Sequence, residues 1–359
     1  MCIYKTRILN KRFLPTKKNW YNPPVCIDER LRYIEVECGY CHDCLKKKGR
    51  EWRIRNYEQL KETPTAVFFT GTFTDERIKT LCERYSIDEN DANGIATKEV
   101  RLFLERIRKY NKGKSVKHWI VTEKGHTKTR RIHIHGIFYA ENGHTKQSLA
   151  WLLKKQWIAG YSYNGKYVNE KTINYVSKYL TKIDEDNREF RGIVLCSKGL
   201  GRGYTERNKR KHQWNDEMTK INYHTSNGRD IALPRYYKLK LFTEDQREQL
   251  WIWREESGEK YVNGFKLYVK TEEDLKYYKT LENQRKAEVE GMYKECISMI
   301  ETKRSANRDI RRQRYHQKLK EYYGKELRQR QRADRDLCAD LNKWASSWER
   351  ADLEVLGVP

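Results

Sequence analysis

The sequence predicts an α+β fold: a central antiparallel sheet with helices on one face, an N-terminal subdomain holding a cysteine cluster, and a charged, mostly helical C-terminal extension. Three observations predict it. From Thr65 to about residue 185, apolar β-branched and aromatic runs alternate with amphipathic helical periods in the order β-α-β-β-α-(β)-α. Before that stretch, CGYCHDC sets Cys38, Cys41 and Cys44 at two-residue intervals. From about Thr271 the chain is charged, with Leu319, Tyr322, Tyr323, Leu337, Leu341, Trp344 and Trp348 at three-to-four spacing. These shifts divide the chain into 1–63, 64–240 and 241–359, and no internal repeat cuts across them.

Within the first part, CIYKTRILNKRFL and RLRYIEVEC read as two strands joined across KKNWYNPP, and LKKKGREWRIRNYEQLKE as a helix stopped before Pro64. AVFFTGTF is the next strand, and KEVRLFLERIRKY is a helix with Val100, Leu104 and Ile107 on one stripe. VKHWIVTE and RIHIHGIFYA form an antiparallel hairpin across KGHTKTR. KQSLAWLLKKQW is a helix, YSYNGKYV a short strand or turn, and EKTINYVSKYLTK another helix. LCSKGLGRGY is a short strand running into a glycine-rich loop, and IALPRYYKLKLF packs back on the domain.

Bulk composition narrows the function. The chain of 359 residues carries a net charge of +25 with 25 Tyr and 10 Trp, which suits a polyanion whose bases can stack. No apolar run approaches the roughly 18 residues of a membrane span, and MCIYKTRILNKRF lacks a signal peptide's apolar core. The expected location is therefore cytoplasmic, with no membrane partner. In that compartment nine cysteines are thiols or metal ligands rather than disulfides.

Two constellations carry chemistry. Strand side chains alternate, so His133 and His135 share one face while Ile132 and Ile134 take the other. A hairpin turn centred near Lys128 sets Glu123 opposite residue 133. Two imidazoles and a carboxylate can hold a divalent ion such as Mg²⁺ or Mn²⁺ with open positions for a substrate oxygen; a hydrogen-bonded histidine pair is the structural alternative. In YVSKYLTK, Tyr175, Lys178, Tyr179 and Lys182 fall within an arc of roughly 100° on a helix, with Ile173, Val176, Leu180 and Ile183 on the other side. The apolar stripe docks the helix, and the polar stripe offers two nucleophilic hydroxyls with adjacent ammonium groups. Acting together, the sites make a nick-and-join enzyme, since a phosphotyrosine keeps the energy of the broken bond.

Cys38, Cys41 and Cys44 have the spacing of a structural zinc knuckle and need a fourth ligand. If the first two strands pair about the Trp20 turn, residue 2 lies opposite residue 38. Cys2 is then the better candidate than Cys26, near the turn, or His42, between two ligands. Cys82, Cys196, Cys296 and Cys338 are isolated. KGLGRG is an ordinary turn or a phosphate cradle, and Arg130, Arg131, Lys198 and Arg202 are candidate DNA contacts.

These motifs resemble the HUH (His-hydrophobic-His) endonuclease superfamily, and more narrowly the rolling-circle replication initiators of small single-stranded DNA phages, the microviruses (gokushovirus-like). FFTGTFTDE resembles the family's first motif, IHIHGIF its metal-binding second and YVSKYLTK its third, with paired tyrosines. HWIVTEKG is similar to the Gly-Glu-Tyr-Gly strand, with Thr122 and Lys124 in place of its Gly and Tyr. CSKGLGRGY resembles the Ser-x-x-Pro-Gly-x-Gly loop without its proline, and CGYCHDC…REW the N-terminal cysteine cluster. The match runs from Cys2 to about Tyr204 and implies an enzyme of the host bacterial cytoplasm. Such an enzyme nicks one strand of a single-stranded or supercoiled origin, stays linked to its 5′ end and circularises the displaced strand, with host helicase and polymerase as partners. The nearest enzymatic rivals are an HUH plasmid initiator, transposase or relaxase. The rival of a different class is a non-catalytic, zinc-stabilised, basic single-stranded nucleic-acid-binding protein.

Overall fold

A computed structural model describes residues 2, 4–39, 41–125, 131–165, 168–181, 190–215, 219–262 and 265–290, with scattered positions between 313 and 339. The chain forms two compact units, Met1–Met292 and Tyr293–Pro359.

The first unit begins with an antiparallel pair, β1 (Thr6–Leu9) and β2 (Tyr33–Val36), and then α1 (His42–Glu62). The order continues β3 (Ala66–Thr72), α2 (Asp75–Tyr85), α3 (Ala92–Tyr110), β4 (Lys117–Lys124), β5 (Ile132–Tyr139), α4 (Lys146–Gln156), β6 (Ser162–Gly165), α5 (Glu170–Ser177) and β7 (Val194–Cys196). The strands β3 to β7 make one five-stranded antiparallel sheet in the order β6-β3-β5-β4-β7, so the α+β class holds. The register sets Glu123 opposite His133 and Thr70 opposite His135.

The expectation of helices on one face needs correction, because both faces of the sheet are covered. On one face Val67, Phe69, Ile120, Ile134 and Phe138 pack against Ile95, Val100, Phe103, Leu149 and Leu153 of α3 and α4. On the other, Ala66, Trp119, Val121, Ile137 and Tyr139 pack against Ile173 and Val176 of α5 and Trp52 and Tyr57 of α1. The physical reason lies in the strands themselves. Their residues are apolar on both sides, and a sheet apolar on both faces must be covered twice. Each fully buried aliphatic side chain gains about 1.5–3 kcal/mol on leaving water.

Helix α1 ties the parts together through buried polar groups. Asn56 Oδ1 accepts from Tyr139 Oη at 2.7 Å, and Gln59 Oε1 accepts from the Gly201 amide at 3.0 Å. After the glycine loop come α6 (Gly203–Arg207), β8 (Asn222–His224), β9 (Asp230–Ala232), α7 (Arg235–Leu241) and α8 (Glu244–Glu256). Their core of Tyr204, Tyr223, Leu233, Tyr237 and Phe242 closes on Ile54 of α1, so IALPRYYKLKLF does pack back. Arg12 pairs with Asp245 and Glu248 of α8, fastening this segment to the N-terminal strands. A hairpin of β10 (Glu259–Val262) and β11 (Phe265–Tyr268) and a helical run over 272–290 complete the unit.

Candidate active site

The hairpin of β4 and β5 builds one wall. His135 is 8% exposed, and its Nε2 lies 2.8 Å from Glu123 Oε2. On the far side of the ring, Nδ1 lies 3.1 Å from Thr70 Oγ1. Both ring nitrogens are therefore engaged, which fixes the imidazole plane. Thr70 was not singled out from the sequence; its position in FFTGTF, on a strand that would pair with the histidines, was the available signal.

His133 shares the face but is turned another way. A Cβ built on Gly125 would come within 2.9 Å of His133 Cε1 and 3.3 Å of its Nδ1, so the ring uses the space that Gly125 leaves open. Burial lowers the His133 pKa, against a partly compensating hydrogen bond with the Arg131 backbone, which favours the neutral imidazole a cation needs. Among the described residues, the four cysteines are the one group of three or more His, Cys, Asp or Glu with ligand atoms within 4.8 Å of one another. Glu123 and His135 thus already meet, while His133 stands on their face outside that limit. The donor set of two imidazoles and a carboxylate fits Mn²⁺ or Mg²⁺ chemically.

The second wall is the tyrosine helix. Asn169 caps α5, its Oδ1 accepting from the Thr172 amide at 3.0 Å. Ser177 Oγ donates back to Ile173 O at 2.7 Å, a bond that bends helices, and the chain tightens into a 3₁₀ turn over Lys178–Leu180. Gly49 of α1 permits the close approach, since a Cβ there would meet Thr181 Cγ2 at 2.9 Å. Tyr57 Oη and Asn174 Oδ1, 2.6 Å apart, fix the helix from the same side.

The two walls meet. The Tyr179 ring stacks on His135 with centroids 4.1 Å apart and planes 5° from parallel. Its hydroxyl donates to Tyr175 Oη at 2.7 Å, closer than the roughly 6 Å expected from helical spacing. Phe68 meets the Tyr175 ring edge-on at 6.4 Å. Tyr175 is 51% exposed, whereas Tyr179 is half-buried. Burial, then the hydrogen bond to Tyr175, push the Tyr179 phenol well above its ordinary pKa. At rest it is a proton donor, not a phenolate.

The expected basic contacts scatter. Lys178 is exposed on the tyrosine turn, and Lys182 and Arg130 lie outside the described residues. Arg131 is held by Asp75 at 2.5 Å, at the histidine end of the sheet. Exposed Lys198 and Arg202 follow β7 past the point where Ser197 bonds His118, the opposite end of β4 from Glu123; Arg202 pairs with Glu206 at 3.5 Å. The glycine loop is spent on packing. Leu200 O accepts from Arg55, the Gly201 amide is taken by Gln59, and Gly201 O accepts from Tyr237 Oη. Gly201 has φ +69°, and a Cβ there would lie 2.4 Å from Arg55 O, so glycine is required for docking on α1.

The cysteine cluster closes as expected around Cys2, Cys38, Cys41 and Cys44, all buried. The strand register pairs Thr6 with Val36, two residues from the pairing that the Trp20 turn suggests, yet Cys2 still reaches the group. Cys38 Sγ accepts from the Cys41 amide at 3.1 Å and lies 3.8 Å from Cys44 Sγ. Hydrogen bonds with Cys2, Cys41 and Cys44 hold the Cys38 thiol far below its ordinary pKa. Four converging sulfurs at the start of α1, one with thiolate character, fit a structural zinc ion.

Residues 66–184, from β3 through the tyrosine helix, match a protein-family model described as a replication-associated protein of the ORF2 type. No curated protein and no solved structure matches the chain.

Proposed function

Through residues 66–184 the chain belongs to the ORF2-type replication-associated protein family, and we propose from that premise that it is a replication-initiation endonuclease. In this reading it nicks one strand at a phage origin by tyrosine transesterification, keeps a 5′-phosphotyrosine link, and rejoins the displaced strand in rolling-circle replication. The observation that carries the reading is the stacking of Tyr179 on His135, with Tyr175 Oη 2.7 Å away, beside the Glu123–His135 pair.

Glu123 and His135, joined by His133, would hold a divalent cation. Bound there, it would polarise the scissile phosphate and neutralise charge on its oxygens. The protein supplies the rest. Thr70 fixes the His135 ring. Tyr175, exposed and accepting the Tyr179 proton, is placed to meet a phosphate arriving from solvent. In the first transfer a tyrosine oxygen bonds to phosphorus, the bond from phosphorus to the 3′-oxygen breaks, and that oxygen takes a proton while the phenol gives one up. In the reverse direction a 3′-hydroxyl attacks the phosphotyrosine and frees the phenol. Two phenols in contact let one carry the strand while the other takes the next, so nicking and joining alternate without ATP.

The same reading assigns zinc to the cysteine cluster as a structural ion. It places the enzyme in the host bacterial cytoplasm, with host helicase and polymerase acting on the nicked origin. The test is denaturing electrophoresis after incubation with labelled origin DNA, with Mn²⁺ or Mg²⁺ and with EDTA. A cation-dependent protein–DNA band is expected from the wild type and none from Tyr175→Phe/Tyr179→Phe. A band of normal intensity from the double variant would overturn the mechanism.

A further inference from the structure

Outside the family-matched segment, a cleft of about 1450 Å³ opens where the end of α1 meets α6 and the β8–β9 hairpin. Its floor is built rather than incidental. Glu58 is 2% exposed and receives Tyr223 Oη at 2.7 Å, Arg207 at 2.6 Å and Lys61 at 2.7 Å. Tyr204 Oη lies 2.8 Å from Nε2 of buried His212, whose Nδ1 lies 2.7 Å from Lys220 O. These bonds fix the segments that carry the rim.

The rim is cationic beyond what its own carboxylates neutralise. Five cations line the cleft, namely Lys61, Arg207, Arg210, Lys211 and Lys220, against the carboxylates of Glu58 and Asp230. Glu58 is consumed by Arg207 and Lys61, and Asp230 by His224 at 2.9 Å. Arg210, Lys211 and Lys220 are exposed and pair with no carboxylate among the described residues. Trp214 stands in the wall, stacked on Trp253 at 5.2 Å. Cations left over around an ordered polar floor describe an anion-binding surface, and several such cations in one cleft describe a polyanion.

We propose that this cleft is a second DNA-binding surface that grips successive backbone phosphates of the strand or duplex flanking the nick. The choice of DNA as the polyanion rests on the proposed function; the site itself does not. Its placement supports the choice. Tyr57 touches Asn174 beside Tyr175, and Glu58, next in sequence, floors the cleft on the adjoining face of the same helix. The two sites therefore stand on the order of one helix diameter apart, about 10–12 Å.

The test compares full-length wild type with Arg210→Ala/Lys211→Ala/Lys220→Ala by fluorescence anisotropy across a salt series. The probes are a fluorescein-labelled single-stranded 40-mer and a 40-base-pair duplex of unrelated sequence. Asp216 and Glu217, outside the described residues, stay native throughout. A control, Lys109→Ala/Lys112→Ala/Lys114→Ala, removes equal charge elsewhere on the surface. Losing three phosphate contacts should reduce the slope of log K against log salt by about 2 for the single strand or about 2.7 for the duplex. At 0.1 M salt that is on the order of 100-fold weaker binding, converging toward wild type near 1 M, with the melting temperature held. Loss with one probe alone identifies the form gripped. Unchanged slopes with both probes, or an equal loss in the control, overturn the proposal. A missing covalent adduct in the wild type would instead count against the nicking reading, because this assay needs no catalysis.

Discussion

Replacing Thr70 with valine should impair the enzyme through an imidazole it never replaces. Thr70 Oγ1 lies 3.1 Å from His135 Nδ1, and His135 Nε2 lies 2.8 Å from Glu123. With no cation bound, the shared proton sits on Nε2, and the threonine hydroxyl donates to Nδ1. To offer Nε2 as a ligand, the ring must carry its proton on Nδ1 and donate it to the same hydroxyl. A hydroxyl can do both; valine, of equal shape, can do neither. Removing the partner costs about 1 kcal/mol of stability as one lost hydrogen bond, but outer-shell losses at ligating histidines typically cost roughly 10- to 100-fold in metal affinity or activity. The assay is Mn²⁺ titration by calorimetry, beside the rate of covalent adduct formation, for Thr70→Val and Thr70→Ser. Serine should restore both within a few-fold. Valine within twofold of wild type on both readouts would refute the orienting role.

Ile173→Ala, at a site 0% exposed beneath the tyrosine helix, should destabilise the protein by about 2–5 kcal/mol in urea unfolding and slow adduct formation by loosening Tyr175. Burial works to raise the Glu58 pKa, but hydrogen bonds from Lys61, Tyr223 and Arg207 outweigh it and leave the value lowered. Its stabilisation is therefore present above the ordinary glutamate pKa, about 4.3, and lost as pH falls through the lowered value. The wild type's stability lead over Glu58→Gln should shrink in that acid window and stay level from pH 6 to 8. Metal analysis should find about one zinc per chain, and Cys38→Ser should lose it together with a large fall in melting temperature.

The parts legible in the sequence were those set by local periodicity. A strand period places His133 and His135 on one face, and a tight hairpin fixes Glu123 opposite His133 with no knowledge of the rest of the fold. Cys2 could be placed because strand pairing carries it toward Cys38, even with a register two residues different. Long-range decisions were not legible. Ala66, Trp119, Ile137 and Tyr139 look like interior of a singly covered sheet until α1 and α5 are seen to close over them. The glycine loop reads equally as cradle or hinge until Gln59 and Tyr237 take its backbone groups. His133 and His135 are alike in sequence, and only Gly125 and Thr70, from other parts of the chain, make their rings differ.

The central claim is that one of two stacked phenols becomes bonded to DNA. Protease digestion of the adduct formed with Mn²⁺, followed by mass spectrometry of the nucleotide-bearing peptide, reads it directly. The nucleotide should sit on Tyr175 or Tyr179, each shifting to the other when one is changed to phenylalanine. A nucleotide on any other side chain, or cleavage with no linked peptide, would contradict it.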